Sequence, residues 1–157
     1  MEAAIIAALA AIFGLVVGRV WDSRLEVVRW RRDQCVRAYE DAAAAYYNVR
    51  EATRVLALTE PDTPEADVAE NRMRTIGVEW NRCMVAVWLH GSEPVVEAIR
   101  QVDRELEQLL VRVRSRRFTW EEFWEERRPA GQRVDSFIEE VRKELKRPVM
   151  QIRVTST

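Results

Sequence analysis

Residues 21–58 read WDSRLEVVRWRRDQCVRAYEDAAAAYYNVREATRVLAL, and the spacing of apolar side chains along this stretch decides the fold. Trp21, Leu25, Val28, Cys35, Tyr39, Ala42, Tyr46, Val49 and Leu56 follow in alternating steps of four and three, with Arg32 and Thr53 the two positions out of character. That rhythm keeps one stripe on one side of a helix, in the manner of a coiled coil. Neither Gly nor Pro interrupts it, so the helix is predicted to run unbroken to about Leu58. At the helical rise, its part after residue 21 measures roughly 55 Å.

Downstream, TEPDT at residues 59–63 is a loop, and Thr63 followed by Pro64 is a helix start. The same rhythm resumes in Ala69, Met73, Ile76, Trp80, Cys83, Val87 and His90, with Gly91 as the expected C-terminal cap. Ser92 is expected to cap a third helix with the stripe Val95, Ile99, Val102, Leu106, Leu109 and Val113. Thr119-Trp120-Glu121-Glu122 is a capping box, with Phe118 and Phe123 placed to staple it. Pro129-Ala130-Gly131 breaks or kinks this fourth helix. It continues through Val134, Phe137, Ile138, Val141 and Leu145. Short connections make neighbouring helices antiparallel, so the expected fold is all-α, three helices packed against the long first one.

Upstream, Ala3 to Gly18 reads AAIIAALAAIFGLVVG without a charge. This run spans roughly 24 Å as a helix, short of the ~30 Å hydrocarbon core. Arg19 can snorkel to the headgroups and Trp21 suits the interface, which extends the span. A signal peptide would carry a basic start, whereas this sequence opens Met-Glu. A buried core helix is possible at this length but usually carries polar residues on one side, and a surface-lying helix would need a polar face. The expectation is therefore a transmembrane anchor at 1–21, a helical bundle at 22–147 and a flexible tail at 148–157. Arg19, Arg24, Arg29, Arg31 and Arg32 all follow the span, and the positive-inside rule puts the bundle in the cytoplasm with the N-terminus outside. With Trp21, these arginines are the candidate contacts with membrane lipid. Ala10, Gly14 and Gly18 recur every fourth residue, the spacing that lets two anchors approach closely and self-associate.

The net charge of −1 gives no drive toward nucleic acid. Two cysteines without a CxxC pair form neither a disulfide framework nor a zinc site, and are expected as buried thiols. His90 is the only histidine, which excludes the repeated Glu-x-x-His of a di-iron bundle and leaves the EEFWEE acids as helix-start residues. The basic run Arg112, Arg114, Arg116 and Arg117 is expected to be neutralised locally. No cofactor, metal or catalytic group is predicted. Of six tryptophans, Trp80 falls on a core stripe, while Trp88, Trp120 and Trp124 lie near helix ends and form a candidate partner surface.

Trp30-Arg31-Arg32-Asp33 with Arg37-Ala38-Tyr39, then Leu89-His90-Gly91-Ser92 with Pro94-Val95, then Phe137-Ile138 with Val141-Arg142 and Leu145, together resemble a large group of small uncharacterised actinobacterial proteins. In these a membrane segment is followed by a W-R-x-x-R and A-Y helix start, and an F-I-x-x-x-R-x-x-L helix closes the chain. The resemblance covers most of the part after the anchor and implies a membrane-anchored helical protein, with no activity or site residues to carry over. The EEFWEE segment departs from the group's pattern. The function expected from these features is a non-enzymatic, membrane-tethered interaction or scaffold protein that associates with itself. The competing expectation is an oligomeric membrane pore or membrane-disrupting effector.

Overall fold

The computed structural model describes residues 2–146, with side chains from Glu26 onward. It is all-helical: α1 spans Glu2–Leu58, α2 Pro64–His90, α3 Glu93–Ser115, α4 Trp120–Glu126 and α5 Arg128–Glu144, with no strand among the described residues. The chain divides into two compact units, Met1–Arg37 and Ala38–Thr157.

In the first unit the described side chains from Glu26 to Asp33 are exposed. Val28, expected on the buried stripe, is 65% exposed, and Val27 and Trp30 are each 60% exposed. Among the described stripe residues burial begins at Cys35, so the apolar period includes Val28 without its being buried. Arg29, Arg31 and Arg32 are exposed. The expected anchor, with Ala10, Gly14, Gly18, Arg19, Trp21 and Arg24, lies outside the residues whose side chains are described, as does the tail at 148–157. Among the described residues no helix is long and apolar enough to cross a membrane.

In the second unit the stripes are the core. Tyr39, Ala42, Tyr46, Val49, Thr53 and Leu56 of α1 are buried, as are Met73, Trp80, Cys83 and Val87 of α2 and all six stripe residues of α3. Thr53 tolerates burial because its hydroxyl donates to the Val49 carbonyl at 2.8 Å, satisfying the one polar atom that apolar surroundings would penalise. Pairings along the helices run in opposite directions. Arg112 meets Glu126, Arg133 meets Glu105, and Ser92 meets Glu144, so α3 descends as α4 and α5 ascend. Trp80 Nε1 donates to Asp103 Oδ1 at 2.7 Å, and Arg114 pairs with Glu70, which orders α2 against α3 in the same sense.

Local signals explain where the helices stop. Thr63 accepts from the Ala66 amide at 3.2 Å, and Pro64 needs no amide partner in the first turn. At α4 both halves of the capping box form, Glu122 N to Thr119 Oγ1 at 3.2 Å and Thr119 N to Glu122 Oε2 at 2.8 Å. Phe118 and Phe123 are buried beside it, and the Phe118 amide donates to Ala57 O at 2.8 Å, tying the α4 start to the end of α1. The expected fourth helix is two helices. The break falls at Arg127 rather than at Pro129, because Pro129 sits in the first turn of α5, where its missing N–H costs nothing.

Gly91 and Ser92 stand at the C-cap of α2 and the N-cap of α3, as expected, but neither caps through a left-handed turn or a side-chain bond. Gly91 has φ −79°, an ordinary conformation for any residue, so it is no left-handed cap. Its lack of a side chain serves close packing instead: a Cβ there would lie 2.8 Å from Val87 O and 3.1 Å from Tyr39 Oη. Ser92 occupies the N-cap position of α3 but makes no side-chain cap bond. Its hydroxyl donates to Glu144 Oε2 at 2.7 Å.

Candidate functional site

The seven-residue helix α4 has one face to bury, and Phe123 fills it at 1% exposure. Trp120 and Trp124, four residues apart, fall together on the next face and remain 48% and 49% exposed. Their ring centroids are 6.0 Å apart with planes tilted by 31°. Leaving two large aromatic side chains half in water forgoes burial energy of about 25 cal/mol for each Å² still exposed. Such residues are the usual anchors of a partner surface.

A cavity of about 180 Å³ adjoins this pair, lined by Arg50, Glu51, Arg54, Trp120, Phe123, Trp124 and Arg127. α1 supplies the first three at steps of one and three residues, so they share one edge of the helix. The break between α4 and α5 supplies Arg127. Arg127 stacks on Trp124 at 3.6 Å and Arg54 lies over Trp120 at 5.7 Å, both favourable cation–π geometries. Arg54 Nε also donates to Glu51 Oε2 at 2.9 Å and its Nη2 to Glu51 Oε1, a bidentate pair. That hydrogen-bonded pair holds the Glu51 carboxyl below its ordinary range. Burial, and then the charge of Arg50, push the Arg127 guanidinium down from its ordinary value. Burial pushes the nearby Tyr46 phenol up, against the opposing pull of Arg127 and Arg50.

The expected partner surface therefore divides. Trp120 and Trp124 are brought together, while Trp88 is 44% exposed and stands apart, stacked with Arg100 at 5.4 Å. Trp88 lies three residues before Gly91, where an added Cβ would come within 3.1 Å of Tyr39 Oη, whereas Trp120 contacts Arg54. The interval from residue 39 to 54 is about 22 Å along α1. Arg50, Arg54 and Arg127 were not singled out by sequence. The available signal was the i, i+4 placement of Arg50 and Arg54 beside the stripe.

The other sequence candidates are accounted for by pairing. Arg112 Nε lies 2.8 Å from Glu126 Oε2 as an ion pair without hydrogen-bond alignment. Arg114 pairs with Glu70, Arg116 with Glu122 at 2.9 Å and Arg117 with Glu60 at 3.1 Å. The basic run at the end of α3 is thus neutralised within the fold. Among the described residues no group of His, Cys, Asp and Glu is placed to hold a metal ion. Cys35 and Cys83 are buried and not in a disulfide.

One feature was not legible in the sequence. Glu144 Oε2, near the end of α5, accepts from Tyr39 Oη at 2.8 Å, Ser92 Oγ at 2.7 Å and Ser92 N at 3.3 Å. Three donors from α1 and from the α2–α3 turn converge on one carboxylate oxygen. The arrangement fastens the end of α5 to α1 and to the α2–α3 turn. No family model, curated protein or solved structure matches the chain.

Proposed function

We propose that the chain is a non-enzymatic, membrane-tethered interaction protein, with residues 38–146 packed as an antiparallel bundle on the cytoplasmic side and the Trp120–Trp124 face as its docking surface. The observation that carries this reading is that pair of adjacent, half-exposed tryptophans on a helix fixed by its own capping box. A short, capped helix presents aromatic anchors at little ordering cost, which is what a recognition surface requires. The tether is supported by the uncharged run Ala3–Gly18, the arginines that follow it, and the resemblance to membrane-anchored actinobacterial proteins. Self-association through Ala10, Gly14 and Gly18 would raise the local concentration of the docking face, so a modest interface would suffice.

The test is purification of the tagged chain from native membranes in mild detergent, followed by the mass of the intact complex. The expected result is carbonate-resistant membrane association and a complex, either a multiple of the chain's own mass or a fixed ratio with a second protein. Trp120→Ala with Trp124→Ala should dissolve the docking contact while leaving the helical circular dichroism unchanged. A monomer recovered from the soluble fraction would overturn the reading.

A further inference from the structure

We propose that the cavity between α1 and α4 binds a doubly charged oxyanion of the phosphomonoester class, held by Arg50 and Arg127 beside the walls formed by Trp120 and Trp124. The cavity gathers three guanidiniums and one carboxylate. Arg54 takes both oxygens of Glu51, which feels the charge of Arg50 without bonding to it. The guanidiniums of Arg50 and Arg127 have no ion pair or hydrogen bond among the described residues; each instead lies over an aromatic ring, Arg50 over Tyr47 at 4.8 Å and Arg127 over Trp124 at 3.6 Å. Stacking occupies the flat face of a guanidinium and leaves its N–H edge, the part that matches an oxyanion, unused.

Two half-buried cations side by side raise each other's energy, and a fold normally places a carboxylate between them. Here Glu51 is bonded to Arg54, and no second carboxylate lines the cavity. Asp135 bears on Tyr46 but is exposed and does not line the cavity, and the Tyr46 phenol stays protonated and brings no negative charge. Arg127 is correspondingly held below its ordinary basicity by burial and by Arg50. Three guanidiniums against one carboxylate leave an excess of two positive charges, which matches a phosphomonoester, carrying about −1.5 to −2 near pH 7, better than a single carboxylate.

Size narrows the class. About 180 Å³ is room for roughly six waters, below the ~300 Å³ at which whole-ligand pockets begin. The phosphate group fits, and the rest of the ester lies outside, over the exposed faces of Trp120 and Trp124. This assignment does not depend on the chain being anchored in a membrane.

The experiment uses the full chain in detergent micelles at neutral pH, with inorganic phosphate and phenyl phosphate as probes and chloride at matched ionic strength as control. The expected result is a saturable change in tryptophan fluorescence with either phosphate and none with chloride. Equal affinity for the two probes identifies the free anion as sufficient, and tighter phenyl phosphate identifies a ring-bearing ester. Arg50→Gln with Arg127→Gln should weaken binding at least tenfold, whereas Arg104→Gln on α3 should leave it unchanged. A readout without substitution is phenylglyoxal modification followed by mass spectrometry: phosphate should protect Arg50 and Arg127 and leave Arg104 reactive. An equal response to chloride, undiminished binding by the double variant, or absence of protection would each overturn the proposal.

Discussion

Gly91 and Gly77 both lie in or at the end of α2, yet the packing around them predicts opposite responses to the same substitution. At Gly77 an added methyl meets nothing within 4 Å, and the residue sits in a helix interior. Gly77→Ala should therefore stabilise the fold by about 0.5–1 kcal/mol, the backbone entropy that glycine forfeits in a helix. At Gly91 the same methyl would lie 2.8 Å from a backbone oxygen and press on Tyr39, which cannot move without loosening its bond to Glu144. Gly91→Ala should cost about 1–3 kcal/mol, as overpacking does. Tyr39→Phe removes one of three donors to that carboxylate and should cost about 1.5–3 kcal/mol, the range for a hydrogen bond to a charged group. Urea titration of the three variants checks the signs, and a destabilised Gly77→Ala with a neutral Gly91→Ala would show that the packing around α2 is misplaced.

Helix by helix, the apolar period told most of what the structure contains. The six stripe residues of α3 are all buried, because a stripe of branched side chains has no competing reading. α1 carries a second buried row that the period did not announce: Ala38, Ala45 and Ala52, seven residues apart, are 3%, 4% and 1% exposed. Alanine is a strong helix former wherever it stands on a helix, so only the neighbours reveal which face it serves. The docking cavity was half legible for the same reason. Trp120 and Trp124 stand out by type and position, but their meeting with Arg50, Arg54 and Arg127 joins residues about 70 positions apart, which local spacing does not encode. The alanine row yields a test of its own. Ala45→Leu should destabilise by about 1–3 kcal/mol by forcing side chains into an occupied interface. Ala44→Leu, on the exposed side one residue earlier, should fall within about ±0.5 kcal/mol. Equal effects in thermal denaturation would place α1 in a different rotation.

For the molecule as a whole, the shifted groups set the pH range in which it is stable. Cys83 is 4% exposed, and burial, followed by the charges of Glu79 and Asp41, pushes its thiol above the ordinary value. Tyr46 is 5% exposed and is pushed the same way, chiefly by burial. A group with a raised folded pKa holds its proton more tightly in the native chain. Its contribution is complete below the unfolded value and is lost as pH rises through the folded one. The thiol therefore governs the first loss, beginning near the ordinary cysteine value of about 8.5, and the phenol a second, beginning near about 10. Glu51 and Glu122 act at the other end. Their carboxyls are held low by Arg54 and by the Thr119 amide respectively, so their contribution is present above the ordinary glutamate value and disappears as pH falls below it. The stability plateau should then lie between about pH 5 and 8. Urea midpoints measured from pH 4 to 11 should show the alkaline loss in two stages. Cys83→Ala should reduce the earlier stage and Tyr46→Phe the later one, each leaving the other in place. An alkaline limb that neither substitution changes would mean that both groups are solvated in the native chain, and the packing of α2 and α1 around them would have to be redrawn.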